Sequence, residues 1–128
     1  VGQSPKKSKV VILGLTFKEN CPDTRNSKVD DIIKRLNEFE IYPVIVDPWA
    51  NESDAMHEYG VTLTKLENIK GADCIIVAVA HNEFKALKLD DIKKLYRECA
   101  DKEKVLLDVK GIYKVEELNK SGIKYWRL

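Results

Sequence analysis

Short, unbroken aliphatic runs alternate with helix-patterned stretches along nearly the whole chain, and that alternation limits the folds open to it. Lys9-Val10-Val11-Ile12-Leu13-Gly14, Val44-Ile45-Val46 and Cys74 to Val79 are such runs, with no polar residues alternating through them. A strand with one wet face alternates apolar and polar residues; a continuous run is buried on both faces, as in parallel sheets covered by helices. Val105-Leu106-Leu107-Asp108 repeats the pattern, and Ile123 to Trp126 supplies a last strand. Between these runs, Val29, Ile32, Ile33, Leu36 and Phe39 form one helical stripe, with Ser27 and Asp30 as a capping pair before it. Asn51 to Tyr59 reads as a helix ended by Gly60, and Leu66 to Ile69 as a brief one. Val61-Thr62-Leu63 is at most a short edge strand. Ile92, Leu95, Tyr96 and Cys99 keep helical spacing, and Val115 to Lys120 reads as a further helix.

Right-handed crossovers between such strands predict a doubly wound, mostly parallel, Rossmann-like α/β domain over residues 9–128. The length of 128 residues suits one domain and is too short for two ordinary ones. Val1 to Ser8 is polar and reads as a linker or cloning remnant. Sheets of this kind collect ligands outside the carboxyl ends of their strands, so the candidate residues are sought there.

Charge and composition narrow the function classes. Lys+Arg total 22 against 21 Asp+Glu, a net charge of +1, which argues against nucleic acid as a partner. The longest apolar run, Ile75 to Ala80, falls far short of the ~20 residues a membrane helix needs. Val1 to Lys9 has no apolar segment of the kind a signal peptide requires, so the expected location is the cytoplasm. Cys21, Cys74 and Cys99 form no CxxC pair and no Cys/His cluster with zinc-ligand spacing. They read as structural or incidental thiols in a reducing compartment.

The first strand-to-helix connection, Gly14 to Ser27, is longer than the 2–6 residues usual for its kind. It lacks GxGxxG, because Thr16 and Glu19 stand where glycines would let a pyrophosphate lie against the backbone. It offers instead two cations, Lys18 and Arg25, ahead of a helix start, an arrangement suited to an anion. The alternative is a solvated loop in which Arg25 merely pairs with Asp23.

Gly14-Leu15-Thr16-Phe17-Lys18, followed by Asp23-Thr24-Arg25-Asn26-Ser27, resembles the G-x-x-F-K…D-x-R-x-S signature of nucleotide-sugar dehydrogenases. More narrowly, it resembles the C-terminal, UDP-binding domain of the UDP-glucose/GDP-mannose dehydrogenase family. Asp47-Pro48, His81-Asn82-Glu83-Phe84, Asp108-Val109-Lys110-Gly111 and Trp126-Arg127-Leu128 are similar to its UDP-N-acetylhexosamine branch, of the Vi-polysaccharide type. The resemblance implies a polysaccharide-biosynthesis enzyme that oxidises C6 of a UDP-sugar to a carboxylate in two NAD-dependent steps, through a thioester on a catalytic cysteine. It further implies that NAD binds mainly to an N-terminal domain, that a central GGxCxxKD-like motif supplies the nucleophile, and that the full enzyme is a homodimer. Neither that motif nor GxGxxG occurs in this sequence, and the surroundings of Cys21 match the UDP-binding loop, so an isolated domain without activity of its own is expected. By the same resemblance, Phe17 and Lys18 contact the substrate, Arg25 reaches NAD across the domain cleft, and Lys110 is a second substrate contact.

Lys110 otherwise reads as a solvated turn lysine before Gly111. Asp47 stands where a ribose-binding acid could sit, although Pro48 favours a turn role. His81 could touch nucleotide, pack the domain cleft or cap a turn with Asn82. His57 reads as a surface residue, and Trp49 and Trp126 as packing groups rather than platforms for uracil. A non-catalytic nucleotide-binding or regulatory module of the same fold is the competing class. A phosphorylation receiver would need an acidic cluster where the first strand ends in Gly14-Leu15-Thr16.

Overall fold

A computed structural model describes residues 8–127, and all but Ser8 of the polar lead lies outside them. Five strands form one parallel sheet: β1 (Val10–Leu13), β2 (Val44–Val46), β3 (Cys74–Val77), β4 (Val105–Asp108) and β5 (Lys124–Arg127), in the order β2-β1-β3-β4-β5. The alternating pleat sends neighbouring residues of the aliphatic runs to opposite faces. Val10, Ile12 and Ile76 meet α1 (Val29–Glu38) through Val29 and Ile33, and α2 (Glu52–Tyr59) through Ala55. Val11, Leu13, Ile75 and Leu106 meet the other layer. There Phe84 comes from α3 (Asn82–Lys85), Ile92 from α4 (Leu89–Lys93) and Leu118 from α5 (Val115–Ser121). A sheet buried on both faces by helices is the doubly wound arrangement the runs predicted.

Strand order reverses between β1 and β3, so the crevice at which such sheets bind ligands opens at the carboxyl ends of those two strands. Gly14 makes the close approach there possible. Its φ is +111°, and a Cβ would lie 2.5 Å from the Val79 Cβ and 2.8 Å from the Val79 nitrogen.

The structure departs from the sequence expectation at several element ends, mostly for tertiary reasons. β3 ends at Val77 rather than Val79, because the N–H groups of Ala78 and Val79 both turn onto the Leu13 carbonyl, at 2.9 and 3.3 Å. The helix expected to carry Ile92 through Cys99 stops at Lys93. Tyr96 instead forms a parallel bridge with Ala72, and its hydroxyl donates to the Val105 carbonyl at 2.5 Å. Of Val61 to Leu63, only Leu63 pairs, bridging Ile45 beside the outer strand β2. Ser27 and Asp30 do not form the expected reciprocal cap: Ser27 Oγ accepts from Val29 N–H at 3.1 Å, and the helix begins after Lys28.

α2 follows the sequence closely, with Asn51 Oδ1 accepting from Asp54 N–H at 3.1 Å and Gly60 in the left-handed region. None of the helices among the described residues is long and apolar enough to cross a membrane. Gly14→Ala is expected to destabilise the domain by about 3 kcal/mol or more, because strain at positive φ adds to a collision with backbone. A urea-unfolding midpoint within error of the wild type would contradict that role.

Candidate functional site

The site grows from a single carboxylate. Asp47, buried at the end of β2, accepts at Oδ2 from the N–H groups of Leu15 at 2.6 Å and Thr16 at 3.0 Å. Its Oδ1 accepts from Trp49 and Ala50 N–H at 2.8 and 3.1 Å. The carboxylate therefore ties the start of the β1 loop to its own turn, and its lone pairs face inward. That is the turn role Pro48 suggested, and it leaves nothing to meet a ribose. Burial pushes the Asp47 carboxyl up, but hydrogen bonds from His81 and from the Leu15 and Thr16 amides outweigh it and hold the group below the ordinary carboxylate value.

His81 follows β3 and is fully buried. Its Nδ1 accepts from the Asn20 backbone N–H at 2.9 Å. An amide can only donate, so the ring proton sits on Nε2, which lies 3.0 Å from Asp47 Oδ2 and 3.1 Å from Thr16 Oγ1. Trp49 stacks on the ring with centroids 6.1 Å apart, and Phe84 lies tilted against it at 5.5 Å. His81 thus faces the loop and not solvent. Trp49 packs as expected and donates from Nε1 to Glu83 at 2.9 Å. Trp126 does not: it stands half exposed on the outer strand β5.

These anchors shape the loop into a projecting tip. Asn20 adopts φ +54°, and its Oδ1 accepts from Asn82 N–H at 2.9 Å. The Thr16 hydroxyl donates to the Lys18 carbonyl at 3.1 Å, and Phe17 N–H to the Asp23 carbonyl at 2.7 Å. The far limb is held by α2, where Glu58 accepts from the buried Thr24 hydroxyl at 2.5 Å and the Tyr59 hydroxyl joins Thr24 and Ser27. Phe17, 53% exposed, and Lys18 project from the tip, and the Lys18 ammonium has no partner among the described residues.

Arg25 lies on the outer limb, 77% exposed, in a forked pair with Asp23 at 3.0 and 3.1 Å. The pair holds the Asp23 carboxyl below its usual value and the guanidinium above its own. The local pairing considered from sequence is thus present, but an exposed ion pair of this kind contributes little and exchanges partners readily.

The end of β4 repeats the logic of β2. Asp108, buried, accepts from Ile112 N–H at 3.0 Å and Tyr113 N–H at 2.9 Å, fixing the turn that exposes Lys110. Gly111 takes φ +63° with the Arg127 guanidinium against it, and Arg127 Nε donates to the Tyr113 carbonyl at 3.0 Å. β3 alone separates β1 from β4, so the strands that lead into the Lys18 loop and the Lys110 turn lie two strand spacings apart, roughly 10 Å.

Other features stand apart. A cleft of about 350 Å³ beside the tip of β2 is lined by Val46, Pro48, Leu63, Leu66 and Phe84 among others, and by none of Lys18, Arg25 and Lys110. The three cysteines are free, and burial pushes the Cys74 thiol up to about 11. His57 is on the exposed face of α2, as expected. Sequence alone missed Asn20, Thr16, Glu58 and Tyr59; only the turn-prone Asn at Asn20 hinted at a role.

Because folding lowers the Asp47 value, its ionised form contributes stability above the unfolded carboxylate range, near pH 4, and loses it as pH falls through the lower folded value. Asp47→Asn is therefore expected to cost about 2–4 kcal/mol at neutral pH. In urea titrations the gap to wild type should narrow as pH falls from about 5 to below about 3. A gap that stays constant over that range would contradict an ionised Asp47.

Residues 11–115 match the family described as "UDP-glucose/GDP-mannose dehydrogenase family, UDP binding domain". The chain is 48% identical over 103 residues to UDP-N-acetyl-D-glucosamine 6-dehydrogenase of Pseudomonas aeruginosa, covering 80% of this chain and 24% of that protein. It is 36% identical over 116 residues to the protein of the same name from Salmonella typhi, covering 91% of the chain and 26% of the relative. The chain thus spans about a quarter of the length of these curated relatives. In fold it is similar to the crystal structure of an NDP-N-acetyl-D-galactosaminuronic acid dehydrogenase from Methanosarcina mazei Go1, with a TM-score of 0.81 at 24% identity, covering 98% of this chain and 25% of that one. The chain belongs to the UDP-glucose/GDP-mannose dehydrogenase family, of which it carries the UDP binding domain.

Proposed function

We propose that this domain holds the diphosphate of a UDP-sugar between Lys18 and Lys110, with Phe17 against the nucleotide, as part of an NAD-dependent UDP-sugar 6-dehydrogenase. The observation that carries the reading is the pair of exposed lysines, each without a partner among the described residues, on connections that leave the carboxyl ends of β1 and β4 and are pinned by buried aspartates. An ammonium that the fold does not use is available to an anion, and a fixed loop reduces the ordering cost of binding. Relatives named for action on UDP-N-acetylglucosamine and UDP-N-acetylmannosamine support an N-acetylhexosamine as the sugar.

The chain's own residues do not fit a dinucleotide. Thr16 and Glu19 replace the glycines of a phosphate cradle, and Val79 occupies the space beside Gly14. NAD, which accepts hydride when bound, is accordingly assigned to the part of the enzyme outside this chain, and only Arg25 is assigned to reach it by exchanging Asp23 for a phosphate. The nucleophilic cysteine and the dimer contact are assigned to that same part. The domain supplies binding and orientation, not bond making. A cytoplasmic place in polysaccharide biosynthesis belongs to the same proposal.

In the full-length enzyme, Lys18→Ala is expected to lower kcat/KM for the UDP-sugar by about 10- to 100-fold, the worth of one charge-assisted contact, with an unchanged thermal midpoint. An unchanged kcat/KM would remove Lys18 from the site. Arg25→Ala should raise KM for NAD and spare that for the UDP-sugar; the reverse pattern would contradict its assignment.

A further inference from the structure

We infer that His81 is a positioning residue: it is the clamp that sets the Phe17-Lys18 tip in its binding geometry, acting through the backbone of Asn20. The inference rests on the UDP-binding reading above and adds to it a residue that touches no ligand. Between Thr16 and Asn20 the chain makes its projecting turn. Two hydrogen bonds to Asn20 reach across from the β3 side: His81 Nδ1 accepts from its N–H at 2.9 Å, and Asn82 N–H donates to its Oδ1 at 2.9 Å. The other end of the turn is held by Asp47, at the amides of Leu15 and Thr16.

His81 joins the two anchors. One ring nitrogen meets Asn20 while the other meets Asp47 and Thr16, and the ring is immobilised between Trp49 and Phe84. Asn20 holds φ +54°, a region asparagine tolerates better than most residues, and its bonds to His81 and Asn82 tie this turn to the β3 side. Lys18 lies inside the tethered segment: its carbonyl is held by the Thr16 hydroxyl, and its ammonium has no partner among the described residues. Its placement is therefore inherited from the clamp, and a loosened loop would present the lysine correctly for only part of the time.

Two substitutions divide the ring into its halves. His81→Gln offers an amide N–H near the Nε2 position, keeping a donor for Asp47 while removing the acceptor of Asn20. His81→Asn offers an oxygen near the Nδ1 position, keeping that acceptor while removing the donor to Asp47. In the 15N-labelled 128-residue chain, the Asn20 amide exchange rate, UDP affinity and urea midpoint are measured for wild type and both variants. Long-range proton–nitrogen spectra report which ring nitrogen of wild-type His81 is protonated.

The expected results are a bare Nδ1 in the wild type, and faster Asn20 exchange with about tenfold weaker UDP binding in His81→Gln. His81→Asn should stay within twofold of wild type in both, even if its urea midpoint is the lower of the two. UDP affinity that simply follows the urea midpoint, or Asn20 exchange equally fast in wild type and His81→Gln, would overturn the clamp. A wild-type chain that fails to bind UDP overturns the underlying reading, and the proposal with it; the exchange pattern distinguishes the two failures.

Discussion

One buried carboxylate organises the binding edge of this domain. Taking a carboxylate out of water costs several kcal/mol unless its oxygens are supplied with donors. Asp47 is supplied by the amides of Leu15, Thr16, Trp49 and Ala50 and by the Nε2–H of His81. Those donors come from the ends of three neighbouring strands, β1, β2 and β3. The ion can be buried only if all three strand ends converge, so the charge enforces the geometry from which the first loop departs. Asp108 does the same on a smaller scale for the β4 turn.

The consequence is a division of labour between charges. The fold's carboxylates at the strand ends are buried and saturated, while Lys18 and Lys110, next to them in sequence or space, stay exposed. Neither lysine holds an ion pair among the described residues, so replacing either changes the surface and not the frame. Arg25 is intermediate: its fork is closed on Asp23, but in full solvent, where a bidentate phosphate is a competitive partner. The chain covers about a quarter of the length of its dehydrogenase relatives.

Much of the frame was legible in the sequence, and the reasons are local. Val10 to Leu13 and Val105 to Asp108 are strands because continuous aliphatic runs suit a sheet buried on both faces. α2 was marked at both ends by Asn51 and Gly60. What could not be read depended on distant partners. Tyr96 keeps helical spacing with Ile92, yet pairs with Ala72 and Val105. Asn20 and His81 are 61 residues apart, and nothing in either neighbourhood announces their bond. The exposed cations at the strand ends were visible; the network that anchors the loop around Lys18 was tertiary. Trp126 was expected to pack, but its place on the outer strand leaves it half exposed.

The central claim is that the carboxyl edge between β1 and β4 is where this domain meets a nucleoside diphosphate. Its most direct test is the map of amide shifts in the 15N-labelled chain as UDP is added, with NAD added in a parallel series. UDP is expected to move Leu15 to Asn20 together with Val109 to Ile112, weakly but saturably, and NAD to move little beyond the surroundings of Arg25. UDP shifts confined to the cleft beside β2, or tight NAD binding by the chain alone, would contradict it.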